Sequence, residues 1–214
     1  MDISWYGHAC FKIKGKSASI IIDPFSPDFI GLKLPKDMAA DIAIKTHDHG
    51  DHNNLEAVTG DPVLVTGPGE YEVKGVAIVG VQTFHDNSQG SERGKNTVYN
   101  MQLDGLNIVH LGDLGQNQLT QEQLEEIGEC DILMIPVGGT FTITSKQATE
   151  IVAQLEPKII LPMHYAEPGL KVELEPVENF LKEMAVENNQ PQNKLSITKD
   201  KLPEEPQTII LTKV

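Results

Sequence analysis

Between positions 46 and 52 the chain reads Thr-His-Asp-His-Gly-Asp-His, a His-x-His-x-Asp-His pattern built from His47, His49, Asp51 and His52. Three imidazoles and a carboxylate in six positions make a donor set that suits zinc, manganese or iron. The chain has only seven histidines in 214 residues, so chance clustering explains the pattern poorly. A set of ordinary core histidines explains it no better, because polar groups this dense are costly to bury unpaired. The chemistry implied is metal binding.

Further candidate ligands stand where strand-like runs end, the usual place for ligand groups in α/β proteins. His85 closes the alternating run 76–84 and opens the glycine-bearing loop 86–94. Asp113 follows the run 106–111 across Gly112, and His164 follows 159–161 across Pro162 and Met163. The elements that must position these groups are readable in outline. Apolar runs at 11–13, 18–22, 42–44, 62–65, 76–83, 97–103 and 106–111 predict strands, and Asp104-Gly105 predicts a hairpin. In the second half, Thr120-Gln121-Glu122-Gln123 and Thr144-Ser145-Lys146-Gln147 are capping-box patterns that open two helices. In the second of these helices Ala148, Ile151, Val152 and Leu155 share one face. Runs at 132–135 and 158–161 predict the strands that follow. A third helix is expected over 176–186, a polar loop over 187–193, and closing strands at 194–198 and 208–212. No repeat and no linker divides the chain, which predicts a single sheet-rich α/β domain over 1–214.

Five segments carry a resemblance: Trp5-Tyr6-Gly7-His8-Ala9-Cys10-Phe11, Ile22-Asp23-Pro24-Phe25, the His-rich stretch 46–52, His110-Leu111-Gly112-Asp113 and Pro162-Met163-His164-Tyr165. In this order they resemble the metallo-β-lactamase-fold superfamily, in the branch of small zinc-dependent hydrolases similar to L-ascorbate-6-phosphate lactonases. The resemblance implies an αββα four-layer sandwich and two divalent metal ions, Zn2+ first, with Mn2+ or Fe2+ as alternatives. His47, His49 and His85 would hold the first ion and Asp51, His52 and His164 the second, with Asp113 bridging. Asp51 and His164 would also serve catalysis. A hydroxide shared between metals about 3.5–4 Å apart is nucleophilic at neutral pH. The implied function is therefore hydrolysis of a small anionic lactone, ester or phosphoester. Two other readings use the same fold: a non-catalytic metal-binding regulator or sensor, and a di-iron oxidoreductase. The second fits less well, because such proteins usually carry Glu where this chain has His49 and are fused to a flavin domain.

Some assignments stay open in the sequence. Asp23 would orient the His-rich loop as a hydrogen-bond acceptor, or simply form a turn before Pro24. Either His85 or His110 could be the third imidazole of the first metal. Position favours His85, because His110 and Asp113 are three apart and would point to opposite faces of a regular strand. His110 is then a donor behind the site or a core residue, and His8 stands similarly near the sheet end. Leu114 replaces a threonine common in relatives. Arg93 offers a planar fork for a phosphate or carboxylate, with Lys95 nearby, although an ordinary solvated loop would carry the same residues. Gly138-Gly139-Thr140 would line the cleft or form a turn, and Tyr165 would steady an oxyanion or point into the core.

Composition narrows the partners. A formal charge of −14 and a pI near 4.8 argue against a nucleic-acid surface, while leaving a small anionic substrate open. Two well-separated cysteines read as buried reduced thiols. No basic-then-apolar leader and no membrane-length apolar run is visible, so a cytoplasmic protein with no membrane contact is expected. A homo-oligomer is compatible with everything above.

Overall fold

The computed structural model describes residues 1–187 and 190–214; Asn188 and Asn189, within the expected polar loop, lie outside the described residues. In chain order the first half contains β1 (Asp2–Gly7), β2 (Cys10–Lys14), β3 (Ser19–Ile22), α1 (Pro27–Ile30), β4 (Ile42–Ile44), β5 (Val63–Val65), β6 (Gly69–Val73), β7 (Val76–Phe84), β8 (Lys95–Leu103) and β9 (Leu106–His110). The second half contains α2 (Gln121–Ile127), β10 (Ile132–Pro136), α3 (Ser145–Leu155), β11 (Ile159–Met163), α4 (Val177–Glu183), β12 (Leu195–Ser196) and β13 (Gln207–Thr208). They form two sheets, ordered β12-β1-β2-β3-β4-β5 and β13-β11-β10-β9-β8-β7-β6.

The two-residue period of a strand decides which side chain goes where. Ile20 and Ile22 of β3 join the core shared by both sheets, while Ile21, with Ala43 of β4, faces the outer side of the first sheet. That shared core also takes Ile3, Trp5, Phe11, Ile13 and Ile44 from the first sheet and Ile78, Val98, Met101 and Ile108 from the second. Both predicted capping boxes form: Thr120 with Gln123, and Thr144 with Gln147. Ala148, Ile151, Val152 and Leu155 are the buried stripe of α3, as their spacing predicts. The outer side of the first sheet is covered differently. Phe25, Ile30, Leu32 and Met38 cover it from four-residue α1 and the irregular chain around it, so the helical layer there is thin.

The structure adds two strands that periodicity missed. β1 pairs with β2 and buries Ile3 and Trp5, but Asp2 and Ser4 dilute its apolar signal. β6 exposes Glu70 and Glu72 and is held by its ladder to β7, across a two-residue turn in which Lys74 and Gly75 both have positive φ. Asp104-Gly105 makes the same kind of turn between β8 and β9, as expected. The closing strands shorten to two residues each, and α4 is shorter than the 176–186 expected. Among the described residues no helix is long and apolar enough to cross a membrane.

The topology has one functional consequence. The carboxyl ends of β3, β4, β7, β9 and β11, from both sheets, open on the same end of the sandwich, and every candidate ligand follows one of them.

Candidate metal centre

Asp113 is the hub. Its Oδ1 lies 3.2 Å from His52 Nε2, and its Oδ2 lies 3.2 Å from His85 Nε2, 3.3 Å from His164 Nε2 and 3.9 Å from His47 Nε2. The turn that carries it is built for close approach. A Cβ on Gly112, whose φ is +55°, would collide with Asn96 Oδ1 and the Thr46 side chain, and one on Gly115 would collide with the His85 backbone. Asn96 clamps this turn: its Oδ1 accepts from Asp113 N, while its Nδ2 donates to Leu111 O and Thr83 Oγ1.

The His-rich loop is oriented from behind by Asp23, fully buried at the end of β3. Asp23 Oδ1 accepts from Thr46 N, and Oδ2 accepts from both Thr46 Oγ1 and His52 Nδ1, all at 2.8 Å. With that hydroxyl proton committed, the network assigns a donating Nδ1–H to His47, 3.0 Å from Thr46 Oγ1. Both histidines are thereby held with Nε2 turned toward Asp113. Asp23 orients the His-rich loop by hydrogen bonds, as the resemblance implies, and fixes the His52 ring from behind.

The side chains fall into overlapping groups whose donor atoms lie within 4.8 Å of one another: His47, His49 and His85; His47, His52 and Asp113; and His8, Asp51, His52 and His164. All seven residues expected as ligands are in these groups, joined by His8. His8 Nε2 is 3.1 Å from Asp51 Oδ2, and its backbone N donates to Glu167 Oε1. His110 stands apart: its Nε2 donates to Ala9 O and its Nδ1 accepts from Gly112 N, so neither nitrogen is free. His110 braces the Asp113 turn from inside the core. Asp48 turns outward to pair with Lys45.

Burial sets the proton affinities. It pushes His47 down to about 3 and lowers His49, so both imidazoles are neutral, ligand-competent bases at pH 7. Burial also opposes charge on His52, but Asp113, Asp23 and Asp51 outweigh it and hold this imidazole well above its ordinary range. The fit to metal ions is tested by the polar atoms left over. Of the eight buried side-chain atoms without a hydrogen-bond partner among the described residues, six are here: His8 Nδ1, His47 Nε2, His52 Nε2, His85 Nδ1, Asp113 Oδ1 and His164 Nδ1. Burying such groups unpaired is costly, and a cation among His47, His52 and Asp113 would relieve the three of these atoms that those residues carry. The donor set fits.

The centre forms one side of a cleft of about 380 Å3, lined by His49, Asp51, His85, Asp113 and His164 together with Phe29, Glu92, Arg93, Phe141 and Val172. Sequence reasoning missed Phe29 and Phe141, which no motif marks. Three other expectations change. Gly138 packs against the His164 carbonyl and is absent from the cleft wall, which takes Phe141 instead. Tyr165 is buried against Trp5, ring centres 5.1 Å apart, with burial raising its hydroxyl; it is a core residue. Lys95 begins β8 outside the cleft. Leu114 is wholly buried, consistent with an apolar residue at this position.

A family model described as a β-lactamase superfamily domain matches residues 2–164. The chain is 33% identical over 192 residues to a UPF0173 metal-dependent hydrolase of Thermococcus onnurineus, covering 77% of this chain and 84% of that protein. Among solved structures, a Zn-dependent hydrolase of the metallo-β-lactamase superfamily from Thermotoga maritima is 39% identical. It superposes with a TM-score of 0.81 over 98% of this chain and 97% of that one. A metal-dependent hydrolase from Parabacteroides distasonis, 19% identical with a TM-score of 0.68 over 97% and 91% of the two chains, shares the fold. By family model, relatives and architecture together, the chain belongs to the metallo-β-lactamase superfamily, among its metal-dependent hydrolases.

Proposed function

We propose that the chain is a single-domain hydrolase with a binuclear centre, acting on a small anionic lactone, ester or phosphoester in the cytoplasm. His47, His49 and His85 would hold one divalent ion, Asp51, His52 and His164 the other, with Asp113 shared; zinc is the first choice. Ions bound there would supply an activated water and polarise the scissile oxygen. The chain's own residues do the rest. Asp23 and Thr46 hold His47 and His52 with the correct nitrogen inward, and His8 steadies Asp51 by the 3.1 Å contact. Asp51 and His164 border the cleft where a substrate would sit.

The observation that carries this reading is the set of imidazole nitrogens around one buried carboxylate, four of them within 4 Å of Asp113. Metal analysis of the purified protein should find about two ions per chain, and a panel of lactones and phosphodiesters assayed with that metal should find turnover. Chelation, His49→Ala and Asp51→Ala should each abolish it. Full activity in a verified metal-free preparation would overturn the reading.

A further inference from the structure

Arg93 is the only arginine of the chain; the other sixteen basic residues are lysines. It lies in the wall of the metal cleft. Its guanidinium stands 5.6 Å from the centre of the Phe141 ring. Among the described residues that stacking is its side chain's sole interaction: no carboxylate pairs with it, and none of its N–H groups is hydrogen-bonded. Its five donors are therefore left free at the cleft wall.

The position is fixed rather than incidental. Asp86 follows His85 directly and accepts four backbone N–H bonds: from Ser88 and Gly90 on Oδ1, and from Glu92 and Arg93 on Oδ2, at 2.7–3.1 Å. His85 N donates to Gly94 O, so the loop closes on the residue that faces the metal centre. Arg93 is therefore tied to the His85 position through one buried carboxylate. Glu92, the acidic neighbour in the wall, has its carboxylate engaged by the Ser88 hydroxyl.

The rest of the rim is apolar. Phe141 and Phe29 are 37% and 54% exposed, two of only five large hydrophobic side chains exposed among the described residues, and both border this cleft. The Phe29 ring packs on Gly50, so it is seated on the His-rich loop itself. Val172 completes the wall.

We infer that the cleft selects organic anions with an apolar body. The head, a carboxylate or phosphate, is taken bidentately by the Arg93 guanidinium, and a flat or branched apolar portion lies between Phe29 and Phe141 with the scissile group toward Asp113. A guanidinium already stacked on an aromatic face loses little freedom on pairing, and its planar fork matches a two-oxygen anion in a way that lysine does not. For the bond cleaved this rests on the hydrolase reading above; for the anion held it does not.

Binding to the metal-loaded protein tests it by calorimetry, with 3-phenylpropionate and phenyl phosphate as probes and 3-phenylpropanol and inorganic phosphate as controls. Both aryl anions should bind about tenfold or more tightly than the neutral alcohol, and the tighter of the two names the preferred head group. Inorganic phosphate should bind more weakly than phenyl phosphate. Arg93→Gln should cost the aryl anions about tenfold or more, Arg93→Lys should recover part of that loss, and Phe141→Leu should cost a few-fold, all with unchanged thermal midpoints. For ester substrates, Arg93→Gln should penalise kcat/KM about tenfold more for an ester bearing a carboxylate than for its neutral methyl-capped counterpart. Equal affinity of wild type and Arg93→Gln for both anions would overturn the inference, as would binding of the alcohol as tight as that of the anions. Arg93-dependent anion binding in a protein that turns over no ester, lactone or phosphodiester would leave this inference standing and remove the hydrolase reading.

Discussion

At one end of the sandwich, where β6 turns into β7 and β8 into β9, the chain reverses through Lys74-Gly75 and Asp104-Gly105; at the other end lie Asp23, His164 and His8. All seven residues have positive φ. At the first end this is the ordinary requirement of a two-residue hairpin, and exposed charges are paired there: Lys74 with Asp41, Lys199 with Asp131. At the second end Asp23, His164 and His8 adopt the same region, which costs about 1–2 kcal/mol each, with no hairpin to require it, and nearby buried nitrogens lack partners. One end is locally relaxed, and the other is held by its surroundings. Unmet polar groups concentrated in one place, beside backbone that no hairpin requires, are the physical mark of a site kept for function.

The sharpest way to break this contrast is to remove the charge at the hub. Asp113→Asn keeps the shape and the clamp from Asn96 but leaves His47, His52, His85 and His164 facing an amide. Bound metal should fall well below the wild-type content and turnover should drop to background, while circular dichroism shows the sheets intact. A variant that kept both metal and turnover would mean that the convergence on Asp113 is structural only.

Next in size is the support behind the ligands. Asp23→Asn can no longer accept from Thr46 N, Thr46 Oγ1 and His52 Nδ1 together, so the rings of His47 and His52 lose their fixed orientation. Supports of this kind are worth about 10–100-fold in metal affinity or activity. Competition titration against a chromogenic chelator should read that weakening, and equal affinity would show that the loop is held without Asp23.

The floor of the cleft and its rim differ in how far the chain alone discloses them. The His-rich stretch is visible because its candidate ligands are adjacent in sequence, and the chemistry of their spacing is local. Asp113, His85 and His164 are visible because strand ends are readable from apolar runs, and His85 is separated from His110 by where those runs stop. The role of His110 was hidden, since its two hydrogen bonds reach Ala9 O and Gly112 N and neither contact has a sequence signal. Phe29 and Phe141 were invisible for a related reason. They line one cleft from a four-residue helix and an irregular loop, and an aromatic residue in a loop reads as ordinary surface or core. β1 and β6 escaped because periodicity registers a strand only when one face is cleanly apolar, and these two owe their form to the ladders with β2 and β7.

A smaller effect probes the rim. In Asp86→Asn one carboxylate oxygen becomes an NH2 group, so two of the four backbone N–H groups lose their acceptor. Burial favours the neutral acid at this position, yet those four donors hold the Asp86 carboxyl down at about 2, which shows how strongly they select the charge. The loop 86–94 should loosen without the metal leaving. At about 1 kcal/mol for a displaced contact, KM for an anionic substrate should rise roughly fivefold with kcat little changed. A fall in kcat with KM constant would mean that Asp86 acts through His85 rather than through Arg93.

The smallest effect lies at the relaxed end and serves as the control. Asp41, at the start of β4, is held at about 2 by the Lys74 ammonium and then by the Ser19 hydroxyl and N–H. A carboxylate whose folded pKa lies below its unfolded value, near 3.9, stabilises the fold above that unfolded value and loses the contribution as pH falls through about 2. Partly exposed ion pairs are worth little, so Asp41→Asn should lower the urea midpoint slightly at pH 7. The gap should stay constant down to about pH 5 and narrow steadily below pH 4. Any metal lost from the site in acid lowers both proteins alike and cancels in the difference. Turnover at pH 7 should be untouched, because Asp41 lies at the far ends of the strands that carry Asp23 and His47. A loss of activity in Asp41→Asn comparable to that in Asp86→Asn would mean that the two ends are mechanically coupled through β3 and β4, and the division between a relaxed end and a working end would not hold.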